Sequence, residues 1–390
     1  MARFAPVPVP RCHDGLDAGR VAADVAAWVS SAPMRALVAA FGGRLPEGAA
    51  GELLDWLDAF SGAHWDFRRG RVERYEVPPP EFDEATAGLI MDAATALRLV
   101  TPAPPLLAEY DHVLIPGGLG RACLQRTHYT AFLLGAAPTA PTATAPTATA
   151  PKAAPAGPKA APKVAPAAGP KAAPKAAPKA APKAAPAAAP KAAPAAAPRA
   201  APAVTAPEVT ALGSFRPLTA AERALPGLGD ARDELAAMHA GLRRAFGVTA
   251  FVAEEAPDGE PSAVHHYART GDAPAIHVLA APSGDPGRRR ANTPDTYRFW
   301  AERVHLRPDD RILVVTSPIY VPFQHCEAIR TLGCRIDTVG FDVTRSTALP
   351  PVGPTAPDRY LQEIRSTIRS MRALLRSPGT PTVPRAGTAC

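Results

Sequence analysis

Apolar positions along this chain recur with two periods, and the change from one to the other marks its organisation. Over 16–29, 34–41, 47–60 and 81–99 they return at mixed spacings of three and four, as on amphipathic helices, with Gly42-Gly43 and Pro78-Pro79-Pro80 as breaks. This pattern predicts a helical layer over 1–105. From Asp111 the rhythm shortens. The run from His112 to Ile115 contains two β-branched residues, stops at Pro116-Gly117-Gly118, and is followed by a segment compatible with helix up to Leu134. A parallel α/β unit begins in this way. The stretch 208–213 reads as a second strand, followed by a helix start at Thr219 and an amphipathic helix over 230–246. The alternation over 263–269 and 275–281, around Thr270-Gly271-Asp272, predicts a hairpin or two neighbouring strands. Asn292 or Thr293 can cap a helix whose first turn holds Pro294 and Asp295. The remaining elements are the strand RILVVT at 311–316, a helix over 319–332, a strand over 335–341 and a helix over 357–375. Their order predicts an α/β fold. We expect a Rossmann-like, open and mainly parallel sheet with helices on both faces, forming one domain over 106–377.

Composition interrupts this pattern once. Ala and Pro dominate 136–207, with threonine-rich repeats at 138–150 and PKAA at a period of four over 170–186. Proline at every fourth position blocks both helix and sheet, so a disordered, partly polyproline-II insertion is expected there, with a second disordered segment at 378–390. Because a strand resumes directly after the tract, it reads as an insertion within one sheet and not as a domain boundary. Its cost as a loop grows only with the logarithm of its length.

The tract also changes the meaning of the charge. The net charge is +7 and the pI about 9.3, which points towards nucleic acid. Yet all eight lysines and Arg199 lie inside the tract, which has no acid, so elsewhere acids slightly outnumber bases. The tract resembles the lysine-alanine-proline tails of linker-histone-like proteins, which implies salt-dependent contact with DNA or another polyanion. An expanded repeat in a permissive loop is the alternative.

Five scattered cysteines without a C-x-x-C pair fit a reducing compartment and no structural zinc. The N-terminus lacks the apolar core of a signal peptide, and no run approaches the ~18 apolar residues of a membrane span. A cytoplasmic protein without a membrane partner is expected. Near Trp65 and Phe67, the arginines Arg68, Arg69, Arg71 and Arg74 could join a base-stacking surface, but anchoring of the helical layer is the simpler role for the aromatics.

Candidate chemistry collects where strands end. Gly117 and Gly118 let the backbone approach a ligand, the following helix offers unpaired N–H groups, and Arg121 in its first turn suits a phosphate or carboxylate. The pattern is not G-x-G-x-x-G, so a standard NAD site is not expected. In an open parallel sheet the loops at Gly117-Gly118, at Ser283 to Thr296 and at Thr316, Ser317 and Tyr320 should converge. Ligand contacts are therefore expected from Gly117, Gly118, Arg121, Ser283, Asn292, Thr293, Thr296, Thr316, Ser317 and Tyr320. Asp295 and Glu234 are candidate acid/base groups, and Ser283 and Ser317 candidate nucleophiles. No G-x-S-x-G elbow is present. His265-His266 in a strand should face opposite sides, so no metal site is expected.

With these motifs in order, the chain resembles the YdcF/SanA/ElyC-like family (domain of unknown function 218), in an actinobacterial branch carrying GG-x-x-RA, GSFRPL, RRANTPDTY and VTSPIYVPFQ. The likeness covers roughly 110–345 without the insert. It matches Gly117, Gly118 and Arg121 to the family's glycine pair and nearby Arg, Glu234 to a Glu on a middle helix, and Asn292, Thr293, Asp295 and Thr296 to a Ser/Thr-rich loop with an Asn before a helix. Many members carry a His and an Arg after V-T-S, where this chain has Tyr320 and Gln324, with His325 one position later. The resemblance implies a Rossmann-like site for a small anionic or nucleotide-like ligand, with S-adenosylmethionine or a nucleotide as cofactor. It does not assign a reaction. The competing expectation is a non-catalytic interaction protein acting through the Lys/Ala/Pro tether.

Overall fold

The computed structural model describes residues 3–67, 80–136, 204–254, 261–269, 271, 273–333, 335–342, 349 and 355–377. Expectations for the arginines at 68–74, for 137–203 and for 378–390 lie outside these residues. The first third of the chain forms α1 (Ala18–Val29), α2 (Ala32–Ala40), α3 (Ala50–His64) and α4 (Glu84–Ala96). Asp17 and Asp83 cap α1 and α4, accepting from the backbone N–H of Arg20 at 3.0 Å and of Thr86 at 2.7 Å. Each such cap contributes about 1 kcal/mol.

The second two-thirds run β1 (His112–Pro116), α5 (Gly120–Leu133), β2 (Glu208–Gly213), α6 (Ala220–Arg223), α7 (Glu234–Phe246), β3 (Phe251–Ala253), β4 (Ala263–Tyr267) and β5 (Ala275–Ala280). They continue through α8 (Thr293–Ala301), β6 (Arg311–Thr316), α9 (Val321–Leu332), β7 (Arg335–Gly340) and α10 (Pro357–Arg376). The strands make one sheet in the order β3-β4-β5-β2-β1-β6-β7. The five strands from β5 to β7 are parallel, and β3 and β4 extend the edge antiparallel. This is the expected α/β class, with helices on both faces. Residues 263–267 and 275–280 are the antiparallel neighbours β4 and β5, whereas β3, three residues long, is too short to show a period.

Strand alternation divides the core in two. Val113, Ile115, Leu313 and Val315 face Leu124 of α5 and Met238 and Leu242 of α7. Leu114, Ile312 and Val314 face the other way, in a cluster with Trp300 of α8, Ile329 of α9 and Ile364 of α10. That second cluster continues into Trp28, Leu54 and Ile90 of the N-terminal helices. Arg369 and Arg372 of α10 pair with Asp58 of α3 at 2.9 and 2.7 Å. Trp65 is fully buried, edge-on to Phe41 and Phe60, so its ring anchors the helices and offers no face to a base.

Chain direction reverses beside β1: the path runs outward through β2 to β5, then returns to β6 on the other flank. In open α/β sheets ligands bind in the crevice outside the carboxyl ends of the strands at such a point. The described residues that flank 137–203 lie together near the opposite end of β1. Val204 N–H donates to Leu133 at 2.9 Å, and Tyr110 N–H, just ahead of β1, donates to Thr205 at 3.0 Å.

Candidate functional site: a crevice at the carboxyl ends of the strands

A crevice of about 320 Å³ opens where β1 and β2 end. Its floor is Pro116, Gly117 and Gly118 after β1 and Leu212, Gly213 and Ser214 at the end of β2 and beyond. Arg216 and Glu234 form one wall, and Arg290 to Thr293 with Thr296 form the other. Gly117 is glycine for a steric reason. A Cβ there would lie 1.8 Å from Glu234 Oε1 and 2.7 Å from the Leu212 carbonyl oxygen, so only a bare Cα lets the carboxyl group reach the crevice floor.

Beneath the floor lies a residue not singled out from the sequence. Arg126 of α5 is 1% exposed, and its guanidinium donates to the carbonyls of Pro116 at 2.6 Å and Gly117 and to Ser317 Oγ at 3.0 Å. The Tyr320 ring centroid is 5.7 Å away. These hydrogen-bond acceptors are neutral, and among the described residues no carboxylate pairs with Arg126. Burial lowers its pKa, with Cys123, Tyr320 and Glu234 opposing, yet a guanidinium stays charged. A fixed positive charge therefore sits between the ends of β1 and β6. Gly118 separates it from the crevice, since a Cβ there would be 3.3 Å from Arg126 Nη1.

Arg216, also missed, organises the wall. It donates to Glu222 through Nη1 at 3.1 Å and Nη2 at 2.8 Å, to Glu234 Oε2 through Nε at 3.2 Å, and to the Gly118 carbonyl at 3.1 Å. Burial raises the Glu222 carboxyl, but Arg216 and the N–H groups of Thr219 and Gly120 outweigh it and bring the pKa down to about 2. Glu234 goes the other way. Burial dominates, and although Arg216 and Ser214 pull it down, its pKa stays above the ordinary carboxyl value. Around the crevice, Arg126, Arg216 and Arg290 thus meet one carboxylate held low, Glu222, and one that burial raises, Glu234.

The expected site residues divide into three groups. Gly117, Gly118, Glu234, Asn292, Thr293 and Thr296 line the crevice. Thr316, Ser317 and Tyr320 lie at the end of β6 and just beyond, with Ser317 and Tyr320 against Arg126 and the Thr316 hydroxyl buried without a partner among the described residues. Arg121, Ser283 and Asp295 stand outside the lining. Arg121 is half-buried in the first turn of α5. Ser283 Oγ shapes its own loop, donating to Arg289 O at 2.8 Å and accepting from Asp285 N–H at 3.1 Å. Asp295 closes a capping box with Asn292 and pairs with Arg289. Burial raises its carboxyl, but Arg289 and the Asn292 N–H hold it below the ordinary value, so it is occupied as a cap. His265 and His266 face opposite sides: His265 reaches His239 of α7 at 2.7 Å, and His266 reaches His277 of β5 at 2.7 Å. Among the described residues no His, Cys, Asp or Glu group could hold a metal ion, and no helix is long and apolar enough to cross a membrane.

Fold and crevice together define an α/β protein with a mixed seven-stranded sheet and a cationic cleft at the strand ends. Residues 12–98 match the family model described as the Rv3785 N-terminal domain. The chain is similar to the uncharacterised proteins Rv3785 of Mycobacterium tuberculosis and Mb3814 of Mycobacterium bovis, each 35% identical over 176 residues, which is 40% of this chain and 49% of theirs. It thus spans about half the length of the curated relatives it matches. No solved structure matches. These matches overturn the resemblance to the YdcF/SanA/ElyC-like family. The helical segment left outside that resemblance is the part a family model recognises. The motifs that carried the resemblance are glycine at a strand end, a capping Asn and a polar strand terminus, which any Rossmann-like sheet uses to turn strand into helix.

Proposed function

We propose that this protein binds a small anionic or nucleotide-like ligand in the crevice at the carboxyl ends of β1 and β2. The observation that carries the reading is Arg126: a buried guanidinium is costly without a counter-charge, and one held against neutral acceptors beneath a glycine floor leaves a positive potential for an anion to neutralise. Arg290 on the wall adds to it, and Glu234 is already engaged by Arg216 at 3.2 Å. Binding is the function proposed, without an assigned reaction.

The test is thermal unfolding of the full chain with sulfate, inorganic phosphate, AMP, sugar phosphates and S-adenosylmethionine. A ligand bound only by the folded state at 100 times its Kd stabilises it by about 2.7 kcal/mol. At least one anion should raise the melting temperature, with the rise reduced in Arg290→Ala. Sulfate stays a dianion across neutral and mildly acidic pH, so its affinity should strengthen as pH falls and protonation of Glu234, whose carboxyl burial holds above its ordinary pKa, removes a negative charge from the wall. Glu234→Gln should flatten that dependence. No shift with any anion would sink the reading.

A further inference from the structure

Two apolar side chains stand exposed in the loops that carry Gly118 and Arg216 to the crevice. Leu119 is 61% exposed and Phe215 40%. Leu119 follows Gly118 and Phe215 precedes Arg216, two residues joined by the 3.1 Å hydrogen bond from Arg216 Nη2 to the Gly118 carbonyl. Both loops therefore meet at one point on the rim.

Leu119 occupies the N-cap of α5, where Ser, Thr, Asp or Asn would satisfy a free backbone N–H. Leucine makes no such bond, and the Gly120 N–H is taken by Glu222 Oε1 at 2.8 Å. Phe215 is held on both sides, because the Ser214 carbonyl accepts from Leu235 N–H at 2.9 Å and the Arg216 carbonyl from Glu234 N–H at 3.0 Å. The backbone thus fixes Phe215 at the surface. Departures from local preference mark functional positions, and here two of them are next in sequence to Gly118 and Arg216, which line one cationic cleft.

We propose that the crevice takes an organic anion whose apolar group, alkyl or aryl, lies against Leu119 and Phe215 while its charged end sits over the glycine floor. This rests on the anion-binding reading and goes further, because inorganic anions and small polar esters become poor ligands. Apolar surface removed from water at the rim supplies the difference.

The experiment compares methyl, hexyl and phenyl phosphate, which share charge and differ in apolar area, by isothermal titration of the full chain. Hexyl or phenyl phosphate should bind at least about tenfold tighter than methyl phosphate, and the preferred ester distinguishes a chain from a ring. Leu119→Ala and Phe215→Ala, both at exposed positions, should each shrink that ratio, with methyl phosphate, which lacks the apolar group, as the reference ligand. Equal affinities for the three esters, or a ratio untouched by both substitutions, would overturn the apolar rim and leave the anion site standing. Absence of binding by all three esters and by inorganic phosphate would overturn both.

Discussion

At Gly117 a single hydrogen atom separates a working crevice from a steric conflict. The Cβ of an alanine would meet the Leu212 carbonyl oxygen at 2.7 Å, and that atom belongs to a paired strand and cannot swing aside as the Glu234 carboxyl can. One residue on, Gly118 has its nearest contacts at 3.3 and 3.4 Å, both with side chains. Gly117→Ala should therefore lose about 1–3 kcal/mol in urea unfolding, the usual range for overpacking, and Gly118→Ala less than half of that. Equal losses would show that the floor yields. Cysteines give a second test at this scale. Cys12, Cys123 and Cys326 are buried, and burial pushes the thiols of Cys12 and Cys123 up to about 11 and about 12. Alkylation of the native protein at pH 8 should leave all three unlabelled, with labelling appearing on denaturation. The glycine pair was legible in the sequence because close approach demands that residue type. Arg126 was not. Gln125, Arg126, Thr127 and Thr130 are all buried in α5, so the helix has no clean apolar stripe to separate inward Arg126 from half-buried Arg121.

Among the elements, the β3–β4 hairpin depends most on protonation. His239 Nε2 lies 2.7 Å from His265 Nδ1, His239 Nδ1 2.6 Å from the Tyr267 hydroxyl, and His266 Nδ1 2.7 Å from His277 Nδ1. An imidazole pair at that distance needs one nitrogen with a proton and one without. Burial, with His265 and Arg243 adding to it, lowers His239 to about 4, and burial also lowers His265 and His277. Glu208 and Glu254, the latter 2.6 Å from His266, favour charge on His277, and Arg303, just beyond α8, lies near Glu254. The unfolded chain takes up these protons near pH 6.5 and the folded hairpin resists them. The stabilisation is complete above pH 6.5 and is lost as pH falls towards 4. Hydrogen exchange, corrected for its intrinsic pH dependence, should show the amides of β3 and β4 losing protection by about tenfold between pH 7 and 5, while β6 holds. A matching loss in β6 would assign the change to the whole molecule. Legibility follows the same physical lines: β1 and β6, buried on both faces, appear as continuous apolar runs, and β4 and β5 as alternation. The tie between β4 and α7 joins residues far apart in sequence, and no local pattern reports it.

For the whole molecule, the decisive geometry is where the chain leaves and re-enters the described fold. After α5, Ala136 N–H donates to the Ala131 carbonyl at 2.9 Å, and the returning Val204 N–H donates to Leu133 at 2.9 Å. Thr205 then bridges to Glu109, and from Glu208 the chain pairs with β1 in register with His112. An exit and a re-entry held to the same helix end can be joined by a few residues. Composition set the tract apart from the rest of the chain, but it could not show that the residues flanking it touch. We therefore expect that replacing 137–203 with a short Gly/Ser linker leaves a cooperatively folding protein. A connection about tenfold shorter costs roughly 2 kcal/mol less closure entropy, so the variant should be as stable as the full chain or more stable in urea unfolding, with an unchanged dependence on denaturant per residue folded. A broad or two-step transition would mean that the chain on either side of the junction does not fold as one unit. Ligand screening of the same variant then separates the two ways of working that the sequence left open. An anion response equal to that of the full chain assigns binding to the crevice. A response that disappears with 137–203 assigns it to the lysine-rich tract, where affinity would fall steeply with salt.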